Sequence, residues 1–85
     1  MSELYRLKQR LSEQARYSNQ ILFAIERASH EATAEQIALC QSGTYPSVRT
    51  LAYYEAKIIA DTHHAPTLVG LISKIILLTR FPYEF

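Results

Sequence analysis

Residues 1–42 contain neither glycine nor proline; Gly43 is the first of two glycines and Pro46 the first of three prolines. These are the strongest breakers of regular backbone. Half of an 85-residue chain therefore lacks its usual punctuation and reads as extended helix. A heptad reading from Leu4 puts Leu4, Leu11, Ser18 and Ile25 at one core position and Leu7, Gln14, Ile21 and Ala28 at the other. The resulting seam is apolar at both ends and polar in the middle. Ser2 suits the N-cap, and a first helix is predicted over residues 3–29.

Large apolar residues thin out over 29–33, and Thr33-Ala34-Glu35-Gln36 matches a capping box. The segment 1–42 is therefore expected to be helical, either broken near 29–33 or continuing to Ser42 as one helix. After a break, a short helix would turn Ile37, Ala38 and Cys40 inward and end at Gly43, which is suited to the left-handed conformation beyond a helix end. Residues 44–47 form a turn, and Pro46 is preset for the first position of a helix over 46–62. Val48, Leu51, Ala52, Ile58 and Ile59 would face inward there, with Glu55 at the margin. A last helix is expected over 67–79, followed by an aromatic tail at 80–85. Eight of the eleven residues from 68 to 78 are Leu, Ile or Val. Such a helix must be central to the bundle or covered by another chain.

The sequence reads as a single all-α domain over 1–85, a small bundle of three or four helices with a long N-terminal helix. An apolar fraction of 48% is enough to build a core. This excludes a disordered or low-complexity chain. Nine basic against eight acidic residues leave a net charge of +1 and no global field for gathering polyanions. One cysteine, Cys40, allows no internal disulfide, and the N-terminal stretch lacks the apolar core of a signal peptide, so a cytoplasmic location is expected. Residues 68–78 are about half the length needed to cross a bilayer and are interrupted by Lys74, so no membrane partner is expected.

The inventory for catalysis is thin. His63 and His64 are adjacent and point about 100° apart on a helix, which does not suit chelation of one ion. Cys40, Ser47 and Ser73 lack a nucleophile elbow, a phosphate loop or an activating partner at recognisable spacing. The expectation is a non-enzymatic chain with no catalytic residue, no metal and no cofactor.

Two local strings carry resemblances. Ser47-Val48-Arg49-Thr50-Leu51-Ala52-Tyr53-Tyr54-Glu55, preceded by residues 35–43 ending in glycine, resembles the helix-turn-helix of MerR-type transcription regulators. That likeness implies a small DNA-binding regulator using residues 35–57, with Arg49, Tyr53 and Lys57 toward the nucleic acid. Ala52 stands where the motif has a second arginine, the turn is about two residues longer, and no wing follows. Leu4-Tyr5-Arg6 resembles the tripeptide of the LYR-motif family of small helical adaptors, without the aromatic and basic pattern expected downstream.

Six tyrosines and three phenylalanines exceed what one small core needs, and Tyr and Arg are favoured at interface hot spots. The favoured function is therefore protein–protein interaction, as an adaptor, a co-chaperone or an inhibitor of a larger assembly. The partner would be another protein, a second copy in a homo-oligomer, or both, with nucleic acid as the alternative. The candidate contact residues are Tyr5, Tyr17 and Tyr53, with Leu71, Ile75 and Leu78 of the apolar last helix and Phe81, Tyr83 and Phe85 of the tail. Tyr45 and the seam between Leu4 and Ile25 are further candidates.

Overall fold

The computed structural model describes residues 2–43 and 47–80, with backbone only at 31–33, 35–37 and 40. Four α-helices follow one another: α1 (Glu3–Gln14), α2 (Ser18–Gln41), α3 (Val48–Thr62) and α4 (Val69–Arg80), the last entered through a 3-10 turn at Pro66–Leu68. No strand occurs among the described residues. The chain is a small all-α bundle, as the sequence predicts.

Local chemistry sets several of the helix ends. The Ser2 hydroxyl accepts the Tyr5 backbone N–H at 3.2 Å. This satisfies one of the orphan donors at the start of α1. Ser47 does the same for α3 by accepting from Thr50 N–H at 3.1 Å, so the helix begins at Val48 rather than at 46. Gly43 follows α2 with φ +84°, the left-handed conformation expected of it. At the end of α3, Ala65 N–H donates to Ala60 O at 2.8 Å across His64, which has φ +58°. This is a Schellman closure with histidine where glycine is usual.

The first helix is shorter than predicted. It ends at Gln14, where Ala15 turns extended (φ −105°, ψ 133°), and α2 then runs unbroken through 29–33. The break falls at the polar middle of the seam. A single straight helix over 3–29 would be roughly 40 Å long and would carry Ile21 and Ile25 away from Leu7 and Leu11. Interrupting it lets both pairs reach one core. Conversely, 29–33 lose large apolar residues but contain no helix breaker, so the helix continues and no new helix starts at 33. Ala38, expected inward, is exposed; the side chains of Ile37 and Cys40 lie outside the described residues.

The core is built from Leu7 and Leu11 of α1, Ile21 and Ile25 of α2, Ala52, Ala56, Ile59 and Ala60 of α3, and Ile72, Ile75, Ile76 and Leu77 of α4. Each fully buried Ile or Leu contributes about 1.5–3 kcal/mol over its exposed state. α3 and α4 make the most extensive helix contact. Ala52, Ala56 and Ala60, spaced by four, form a small-residue stripe on α3 whose members are all buried in the cluster with the isoleucines of α4. The apolar α4 is thus central to the bundle and needs no second chain to cover it. This rotation of α3 also corrects the predicted inward face, since it turns Ile58 outward to 68% exposure while Leu51, Ala52 and Ile59 are buried.

One charged pair reaches into this apolar packing. Arg80, in the last turn of α4, sets its Nη2 2.8 Å from Glu55 Oε2 of α3, with the arginine side chain only 1% exposed. Arg80 therefore belongs to α4 and not to the tail, and Glu55 does more than occupy the margin of its helix.

Candidate interaction surface

Three of the six exposed large hydrophobic side chains among the described residues, Tyr53, Tyr54 and Ile58, lie on the outer face of α3. Tyr54 and Ile58, one helical turn apart, are 54% and 68% exposed. Asp61 continues the same row after three more residues. Beside them runs a second row, Tyr53 and Lys57. The Lys57 Nζ lies 5.9 Å from the Tyr53 ring centroid, and the Tyr53 and Tyr54 rings meet edge-on at 6.4 Å and 65°. Both are favourable arrangements for a ring quadrupole. Asp61 is exposed and makes no ion pair among the described residues. The face thus combines two aromatic rings and an isoleucine with one cation and one anion a turn apart.

The sequence-predicted contact residues that the structure describes are not brought together. Tyr53 lies on this face. Tyr5 is exposed on α1, where Gln9 Nε2 donates to its hydroxyl at 3.3 Å. Tyr17 sits at the α1–α2 break, with the Arg16 guanidinium 5.8 Å from its ring and His64 6.3 Å away, so it serves the junction with the end of α3. Ile75 is fully buried and offers no contact surface, because the bundle itself covers α4; Leu71 and Leu78 are partly buried against the core. The Leu4 to Ile25 seam is likewise internal, with Leu7, Leu11, Ile21 and Ile25 in the core. Tyr45, Phe81, Tyr83 and Phe85 lie outside the described residues.

Arg49, Tyr53 and Lys57, spaced by four, are all exposed along one side of α3. The preceding helix, however, is the 24-residue α2 and not the short helix of the MerR-like pattern. Asp61 also adds an acid next to the row.

Sequence reasoning missed Tyr54, Ile58 and Phe23. Phe23 is 66% exposed on α2 and stands between two open grooves. One, of about 720 Å³, is lined by Phe23, Arg27, His30, Thr79 and Arg80 among others. The other, of about 500 Å³, leads from Phe23 and Arg27 to His63. No group of three potential metal ligands occurs among the described residues, and none of their helices is long and apolar enough to cross a membrane.

The chain matches no protein-family model, no curated protein and no solved structure.

Proposed function

We propose that this chain is a non-enzymatic protein–protein interaction module whose contact surface is the outer face of α3, formed by Tyr53, Tyr54, Lys57 and Ile58. The observation that carries this reading is Ile58, 68% exposed beside two tyrosines on a helix whose opposite face already closes the core. An isolated surface isoleucine needs no explanation, but one adjoining two exposed rings forms a patch with the aromatic composition of interface cores. Of the predicted contact residues, Tyr53 remains in this surface, and Tyr54 and Ile58 replace the apolar last helix. Capture from host extract with the wild-type chain and with a Tyr54→Ser, Ile58→Ser variant tests it. The variant keeps its helicity and loses the captured protein; equal capture by both chains overturns the reading.

The alternative, DNA binding, has the exposed row of Arg49, Tyr53 and Lys57 in its favour. It requires affinity for duplex DNA that falls steeply with salt and fails in an Arg49→Ala, Lys57→Ala variant. An apolar protein contact responds little to salt.

A further inference from the structure

The outer face of α3 is complementary to itself. Lys57 and Asp61 occupy the same flank of the helix, one turn apart, and neither has an ion partner among the described residues. Tyr54 and Ile58 stand next to them. A surface suited to a strongly acidic or basic partner carries one sign of charge; this one carries one of each. From that arrangement we infer that the occupant of the face is a second copy of this chain, docked with the two α3 helices antiparallel about a twofold axis passing at Ile58.

The geometry follows from helix dimensions. With the axis at residue 58, Ile58 meets the same residue of the second copy. Lys57 then lies two residues from the level of the opposing Asp61, about 3 Å along the helix, within reach of its four-carbon stem. In an antiparallel pair the same flank of each helix meets its counterpart, so both Lys–Asp contacts form at once, as an isologous interface requires. Tyr54 closes the isoleucine pair from either end. A net charge of +1 per chain gives the two copies little mutual repulsion. One isoleucine and two tyrosines per copy supply less than the ~800 Å² per partner of a standard stable complex, so association is weak and rises with concentration.

The inference rests on the proposed contact face and is tested apart from it. Sedimentation equilibrium is run from about 10 μM to about 1 mM, a range set by the small interface, with helicity followed in parallel. The wild-type mass is expected to climb toward that of two chains, and Ile58→Asp is expected to hold it at one chain with unchanged helicity. Lys57→Asp and Asp61→Lys, each alone, weaken the dimer about tenfold, because each places like charges opposite one another. Their equimolar mixture restores it, since the acidic chain then faces the basic one; an effect confined within a single helix gives no such rescue. A wild-type chain of single mass at every concentration, a dimer indifferent to Ile58→Asp, or a mixture without rescue overturns the inference. If the chain is monomeric but Ile58→Asp abolishes capture of a different protein, the second copy is wrong and the contact face stands. If the chain is monomeric and capture is also unchanged, both fall.

Discussion

Arg80 Nη2 lies 2.8 Å from Glu55 Oε2 and ties the last turn of α4 to the middle of α3, where the arginine side chain is almost completely enclosed. Removing one member of a buried pair gives up the attraction while the other still bears its desolvation cost, whereas replacing both with apolar groups removes the desolvation cost together with the attraction. Glu55→Ala is therefore expected to lower unfolding stability by about 3 kcal/mol. A Glu55→Leu, Arg80→Leu double variant should recover most of that loss. Urea denaturation of Glu55→Leu alone, Arg80→Leu alone and the double variant gives the coupling directly.

The burial of α4 makes a second expectation. Ile75 is fully enclosed in the core that α4 shares with α1, α2 and α3. Truncating it leaves a cavity there, and Ile75→Ala should cost about 3 kcal/mol. Ile58 lies on the outward side of α3. Its replacement by serine should stay within about 0.5 kcal/mol of wild type. Thermal and urea unfolding of the two variants separates a central α4 from one that depends on a partner chain. In the second case Ile75→Ala would be mild in the isolated protein.

How far the sequence could be read depended on whether a feature was local. Ser2, Ser47 and Gly43 act through their own side chain or backbone within a single helical turn, and the apolar residues of α1, α2 and α4 follow helical spacing. These were legible, except the Ser47 cap: Pro46 reads as the first helical position, and the helix starts at Val48 instead. The break at Ala15 was not, since no glycine or proline marks it; its cause is tertiary, the need to bring Ile21 and Ile25 to the same core as Leu7 and Leu11. The candidate surface shows the same limit. Ile58 belongs by composition on an inner face, and it is exposed because Ala52, Ala56 and Ala60 occupy the buried side of α3. Tyr53 could be picked out because aromatic excess is countable. Its neighbours Tyr54 and Ile58 could not be added until the rotation of α3 was known, nor could Arg80 be matched to a partner on another helix.

His64 adopts φ +58° in the Schellman closure that ends α3. That conformation costs a residue with a Cβ roughly 1–2 kcal/mol. Glycine removes the strain but widens the unfolded ensemble, and His64→Gly also gives up the ring contact to Tyr17. The net expectation is a gain of about 0.5 kcal/mol, whereas His64→Val should lose about 1 kcal/mol or more by placing a β-branched residue in the left-handed region. Denaturation midpoints for the pair decide it: similar midpoints for Gly and Val would remove the backbone account of this turn.

Gly70 presents the opposite case. It lies in the first turn of α4, and a Cβ built there meets nothing within 4 Å. Nothing in the packing requires glycine, so its cost is the greater conformational entropy of the unfolded chain and a weaker helix. Gly70→Ala is expected to raise stability by about 0.5–1 kcal/mol. The expected shift in melting temperature is about 2–8 °C for a domain of this size. Because α4 is the helix around which the others pack, strengthening its start should slow unfolding more than it speeds refolding only if α4 docks late. Stopped-flow measurement of both rate constants on Gly70→Ala reads this: a change confined to the folding limb places the first turn of α4 in the folding nucleus, and a change confined to the unfolding limb places it outside.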